Sequence, residues 1–113
     1  MVGCTCLSAR RSGLLAAKSF DVCIVDEASQ ISLPAVLGPL MLARTFLLVG
    51  DHYQLAPLVT SARAAQDGLG VSLFRRLSEA HEQVLTPLQG WGAHGLVLTP
   101  LLGGGAHGLE LVI

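Results

Sequence analysis

V-C-I-V-D-E-A-S-Q, Val22 to Gln30, decides the fold when it is read with L-L-V-G-D-H-Y-Q, Leu47 to Gln54. The first stretch is four apolar residues, two adjacent carboxylates, then small and polar residues. The second is an apolar run, a glycine, another aspartate and a glutamine. Each reads as a short buried strand that ends in acid at its C-terminal tip. Parallel α/β sheets bind ligands in the crevice outside such tips. Two tips about twenty-five residues apart therefore predict one site built from neighbouring strands.

Working outward, Phe20 to Asp26 predicts a strand whose continuous apolar pattern implies cover on both faces, as in a parallel sheet. Ser32 and Pro34 read as an N-cap with proline in the first turn. They open a helix over Ala35 to Ala43, which Gly38 and Pro39 are expected to kink or split. Phe46 to Val49 is the next strand, and Leu55 to Val59 is irregular around Pro57. Ser61 to Gln66 is a loop or short helix. Val71 to His81 places Leu73, Phe74 and Leu77 on one helix face and Arg75, Arg76 and Glu79 on the other. Met1 to Leu7 reads as a short buried strand, and Ser8 to Ser19 as a loop with a helical turn.

The bulk properties bound the rest. A chain of 113 residues holds at most one domain. It is 51% apolar and 13% charged, which is oily for a soluble domain. Its net charge of −1 gives no basic footprint for nucleic acid. Cys4, Cys6 and Cys23 are an odd set, read as buried small hydrophobes of a reducing compartment rather than metal ligands. No apolar run reaches the ~18 residues of a membrane span.

After Thr86 the composition changes. L-T-P-L-Q-G-W-G-A-H-G-L-V from Leu85 returns as L-T-P-L-L-G-G-G-A-H-G-L-E from Leu98. Two glycine-rich copies cannot build a solenoid, so residues 87–113 read as an irregular or disordered tail. His94 and His107 recur in this repeat without further ligands, so no metal site is expected there.

The acidic tips suggest a chemistry. A carboxylate at a strand end suits a hard cation such as Mg²⁺. A second carboxylate beside it points elsewhere and can take a proton from an attacking water. An aspartate and a glutamine on the adjacent tip can sense a bound phosphate. That set describes a nucleotide hydrolase. Against it, Asp26 and Glu27 could merely cap the next helix, and Gly50-Asp51 could be an ordinary turn. The phosphate-cradling Gly-rich loop that ends in Gly-Lys-Ser/Thr does not occur in these 113 residues, whose one lysine is Lys18.

Asp26-Glu27-Ala28-Ser29-Gln30 resembles the Walker B motif of superfamily 1 helicases of the 5′→3′ branch. Leu48-Val49-Gly50-Asp51-His52-Tyr53-Gln54-Leu55 resembles their motif III. With the flanking I-S-L-P-A-V-L-G-P-L and S-L-F-R-R-L, the chain is similar to the eukaryotic DNA replication ATP-dependent helicase/nuclease family from about Val2 to Thr86. The resemblance implies a partial RecA-like α/β fold over residues 1–86, with about three central parallel strands and flanking helices. It implies ATP and Mg²⁺ as cofactors, with Asp26 on the metal and Glu27 as general base. Gln30, Asp51 and Gln54 would couple the γ-phosphate to the DNA track. Thr5 would lie near single-stranded DNA. The remainder of the helicase core would be a partner, and the compartment nuclear or mitochondrial.

Tyr53 and Ala56 depart from the family pattern, which has a polar residue and a proline there. After Thr86 the family continues into Gln-Tyr-Arg-Met, and this chain does not. The expectation is a fragment or alternative product: the middle of the first RecA-like domain, inactive alone, with an unrelated tail. A non-enzymatic interaction fragment and a non-functional product of an aberrant transcript are the other readings. In the family's sheet order the phosphate-loop strand lies beside the motif III strand. The Phe46–Val49 strand is therefore expected to have an open, apolar, aggregation-prone edge.

Overall fold

Val22 to Val25 pairs in parallel with Thr45 to Leu48, residue for residue, and the rest of the chain is arranged around that pair. The structure, a computed structural model, describes residues 1–51, 53–80, 85–87, 94–98 and 110–112. In chain order the elements are β1 (Val2–Gly3), α1 (Cys6–Arg11), α2 (Gly13–Ala16), β2 (Phe20–Val25), a 3₁₀ turn (Ala28–Gln30), α3 (Leu33–Leu40) and β3 (Ala43–Gly50). There follow α4 (Ala62–Gln66), α5 (Leu73–Ala80), β4 (Leu85–Pro87), β5 (His94–Leu98) and β6 (Glu110–Val112). The strands form one mixed sheet in the order β1-β6-β2-β3-β5-β4. The first four are parallel neighbours; β5 is antiparallel to both β3 and β4.

The core lies on one face of β2 and β3. Cys23, Val25 and Leu48 meet Val36 and Leu40 of α3, Phe74 of α5 and Cys6 of α1 there. Burying these apolar side chains supplies the main driving force for the fold. Val22 and Ile24, on the other face of β2, are only partly buried. The cover expected on both faces is therefore uneven. The amphipathic face read in the sequence closes the core from α5: Phe74 is fully buried and Leu73 and Leu77 pack against the cluster. On the outer face Arg75 and Glu79 pair at 2.7 Å.

Several elements differ from their sequence reading. The strand expected over Met1 to Leu7 is two residues long, and α1 starts at Cys6. Thr5 is the reason: its side chain accepts the Ser8 N–H, while the Ser8 hydroxyl accepts the Thr5 N–H. This reciprocal cap satisfies donors that a helix start leaves open. The helix expected over Ala35 to Ala43 begins at Leu33 instead and runs unbroken through Pro39 to Leu40. Pro39 lies in the last turn, where its missing N–H costs a single bond, and the Met41 N–H closes the turn on the Leu37 carbonyl. Ala43 already belongs to β3. Leu55 to Val59 forms no helix or strand, and Ser61 caps the short α4, as read.

β2 and β3 are neighbouring parallel strands as the resemblance implies, whereas β1 is separated from β2 by β6. Residues 85–112 add three more. The edge of β3 expected to lie open is covered by β5, with Phe46 opposite Leu98 and Gly50 opposite His94. β6 lies between β1 and β2, with Cys23 opposite Leu111. Of the tail read as irregular, 87, 94–98 and 110–112 are described and are strands; the rest, with Trp91 and His107, lies outside the described residues.

Candidate functional site

The two acidic tips come out side by side. Val25 is level with Leu48 in the parallel register, so Asp26 and Glu27 leave β2 on the same rim where Gly50 and Asp51 leave β3. Gly50 fixes how close they sit. A Cβ placed on it would stand 2.9 Å from the Ser29 backbone nitrogen and 3.3 Å from that of Ala28. Only a residue without a side chain lets β3 approach the turn after Glu27 so closely. A glycine directly before the second aspartate was the sequence signal for this contact, and composition alone did not give it that role.

At the first tip the chain turns sharply. Glu27 has φ 52° and ψ 34°, the one non-glycine residue in the left-handed region among the described residues. That conformation is costly for a residue with a Cβ. Two hydrogen bonds tie the turn at this residue. The Glu27 N–H donates to Asp26 Oδ1 at 2.9 Å, and the Gln30 side-chain amide donates to Glu27 Oε2 at 2.9 Å. Beyond Glu27 the turn buries Ala28 and Ser29, each 3% exposed, so it is anchored in the core. Asp26, Glu27 and Gln30 remain exposed on the rim.

The second tip repeats one device. Asp51 Oδ2 accepts the Gln54 side-chain amide at 3.1 Å, and its Oδ1 accepts the Tyr53 N–H at 2.9 Å. In both tips a glutamine three residues after a carboxylate holds it by one oxygen. The second tip lies on the surface: Tyr53 is 83% exposed and Leu55 69%. His52 lies outside the described residues.

Thr5 is brought near the first tip through a groove of about 620 Å³. Cys4, Thr5, Leu7, Gln30, Pro57 and Leu58 are among the residues that line it. Thr5 thus has a structural duty as the cap of α1 as well as a place on the groove. Of the six residues singled out in the sequence, Asp26, Glu27, Gln30, Asp51 and Gln54 lie on the two tips, and Thr5 shares the groove with Gln30 alone of these five.

Cys6 and Cys23 are buried, as read, and Cys4 is partly buried. All three are free thiols, and burial raises the pKa of each above its ordinary value. Cys23, in the middle of β2, is pushed up to about 12 by burial and then by the neighbouring thiols of Cys6 and Cys4. Thiols so held are poor nucleophiles. Among the described residues no cluster of three His, Cys, Asp or Glu side chains could hold a metal ion by itself. Likewise, no helix among them is long and apolar enough to cross a membrane.

Known proteins resemble this chain over most of its length. A DNA replication ATP-dependent helicase/nuclease of Arabidopsis thaliana is 60% identical over 89 residues, 79% of this chain and 7% of that protein. The corresponding protein of Schizosaccharomyces pombe is 53% identical over 89 residues, 79% of this chain and 6% of its own length. The human one is 48% identical over 85 residues, 75% of this chain and 8% of its length. The chain thus spans less than a tenth of the relatives it matches. A family model described as an AAA domain matches residues 1–62. That match takes in both acidic tips and more than half of the 113 residues, and the chain belongs to the AAA domain family.

Proposed function

We propose that this chain carries one half of the ATP-hydrolysing site of a DNA replication helicase/nuclease. The single observation that supports this most is the packing of Gly50 against the turn after Glu27, which sets three carboxylates on one rim. Asp26 suits Mg²⁺: it is an exposed hard-oxygen donor whose Oδ1 is oriented by the Glu27 N–H. Mg²⁺ is usually held by one or two carboxylates together with substrate phosphates, so a rim without a complete metal cage fits it. The ion, when bound, supplies neutralisation of charge on phosphoryl oxygens.

Glu27 acts as general base. Gln30 holds its Oε2, which leaves Oε1 to take a proton from the attacking water. Asp51 and Gln54 sit on the neighbouring tip, where they sense the γ-phosphate and pass its presence toward the groove at Thr5. Single-stranded DNA lies along that groove, and the remainder of the helicase core completes the pocket. The compartment on this reading is the nucleus. The 113 residues by themselves do not turn over ATP. Phosphate cradling and stabilisation of transition-state charge supply most of phosphoryl-transfer catalysis, and these residues contain no Gly-Lys-Ser/Thr loop.

The test is a titration of the chain with an ATP analogue, with and without Mg²⁺. We expect weak binding that needs Mg²⁺ and is lost in Asp26→Ala. Binding indifferent to Asp26 would remove the site assignment. ATP turnover by the chain that vanishes in Glu27→Gln would overturn its inactivity.

A second reading, a non-enzymatic interaction piece, is favoured by the apolar residues beside the groove: Leu58 is 92% exposed and Leu7 69%. Capture of partners of the longer helicase by the native chain, lost in Leu7→Ser/Leu58→Ser, would favour it over the first.

A further inference from the structure

We propose that the Ser29 hydroxyl binds one ordered water molecule, and that this water ties the acidic turn to the start of α5. Ser29 is 3% exposed. Among the described residues its Oγ is the one buried side-chain oxygen or nitrogen without a hydrogen-bond partner. Burying a hydroxyl unpaired is costly, so such groups find protein or water. Ser29 lines a cavity of about 10 Å³ together with Pro57, Gly70, Ser72 and Arg75. That size admits about one water.

The walls cannot close on the hydroxyl. On the sheet side there is no room for a side chain at Gly50: a Cβ there would stand 2.9 Å from the Ser29 nitrogen and 3.3 Å from Ser29 Oγ. On the helix side Ser72 is 1% exposed and is bridged through its backbone to Ser32, just beyond the acidic turn. Phe74, fully buried, anchors the first turn of α5 in the core. A bound water also needs two to four polar partners. Ser72 Oγ accepts the Arg75 N–H at 3.1 Å and keeps its own hydrogen to donate. Ser29 Oγ is a second partner. The irregular backbone of Leu55 to Pro57 runs along the remaining wall. The water therefore joins three segments at one point: the turn that carries Glu27, the loop after Asp51, and α5. This inference does not rest on the nucleotide reading, and its test uses no nucleotide.

A crystal structure of the native chain at a resolution that shows ordered waters is expected to carry density within hydrogen-bond distance of both Ser29 Oγ and Ser72 Oγ. A dry cavity, or the Arg75 guanidinium in its place, overturns the proposal. Equilibrium unfolding of Ser29→Ala gives an independent sign. Removing a hydroxyl that has a water partner shifts the unfolding equilibrium roughly tenfold toward the unfolded state, whereas removing an orphan leaves it unchanged or more folded. A variant at least as stable as the native chain therefore sinks the idea. In Ser29→Ala/Ser72→Ala the two shifts are expected to sum to less than their separate values, because both lose the same water.

Discussion

The turn after β2 and the turn after β3 use the same parts and are built to different tolerances. Each holds a carboxylate with a glutamine three residues on. The first forces Glu27 into the left-handed region and drives Ala28 and Ser29 into the core. The second is a relaxed surface turn in which Asp51 gathers the Tyr53 N–H and the Gln54 amide. The difference teaches which tip is fixed and which can give. On the proposed reading Glu27 is a base that must keep its place within about 0.5 Å, and burial of its neighbours would provide that. On the same reading the second tip is a sensor that must answer to what binds, and an exposed turn moves at low cost.

Gly50→Ala should break the comparison most severely. The new methyl meets the Ser29 and Ala28 nitrogens, which are backbone and cannot swing away. Overpacking of this kind costs about 2–3 kcal/mol. The denaturation midpoint should fall accordingly, and the two tips should move apart. A variant as stable as the native chain would show that the contact is not what sets their spacing.

Alkaline pH is expected to weaken the strand beneath the first tip. Cys23 sits in β2, and opposite it in β3 is Phe46, which does not titrate. The Cys23 thiol ionises in the unfolded chain near its ordinary value of 9.0, and in the folded chain only at about 12. Its contribution to stability is thus fully present below pH 9.0 and drains away as the pH rises toward 12. Each pH unit in that window should cost up to about 1.4 kcal/mol. Cys23→Ala should flatten this alkaline limb, whatever it does to stability at neutral pH. An unchanged limb would assign the loss to another group.

Glu27→Gly should act in the opposite direction from Gly50→Ala. It removes the Cβ from a left-handed residue and should raise stability by about 1 kcal/mol, while it deletes the proposed base. A chain that becomes more stable as it loses a site residue is storing strain there. A loss of stability would mean that the Gln30–Glu27 bond outweighs the backbone cost.

These effects follow the line between what the sequence discloses and what it hides. β2 and β3 are legible because each is a short apolar run that stops abruptly at acid, and the adjacency of their tips follows from the parallel pairing. The strain at Glu27 is not legible, because glutamate is not a residue type that marks a left-handed turn. The start of α1 is hidden in another way. Thr5 inside Val2 to Leu7 continues an apolar run with β character, and its capping partner is Ser8, where the usual signature has Glu or Gln. β5 and β6 are beyond local reading altogether. Their glycine-rich segments carry little strand preference, and pairing with β3 and β2 is decided by edges far away in the chain.

The glutamines give the smallest effects and the finest test. Gln30→Ala and Gln54→Ala each remove one exposed side-chain hydrogen bond, so each should change stability by about 0.5 kcal/mol or less. Their consequences should differ in kind. Without Gln30 the Glu27 carboxylate loses its only side-chain donor among the described residues, yet the buried Ala28–Ser29 pair still holds the backbone of the turn. Amide exchange across the first tip should therefore stay slow. Without Gln54 the second turn keeps the Tyr53 N–H on Asp51 Oδ1 and the residue-54 N–H on the Asp51 carbonyl at 3.2 Å, while Tyr53 to Ala56 are all exposed. Exchange at Tyr53 and Gln54 should quicken several-fold. Equal exchange in the two variants would mean that both tips are held alike, and that burial under the first confers no extra rigidity on its carboxylates.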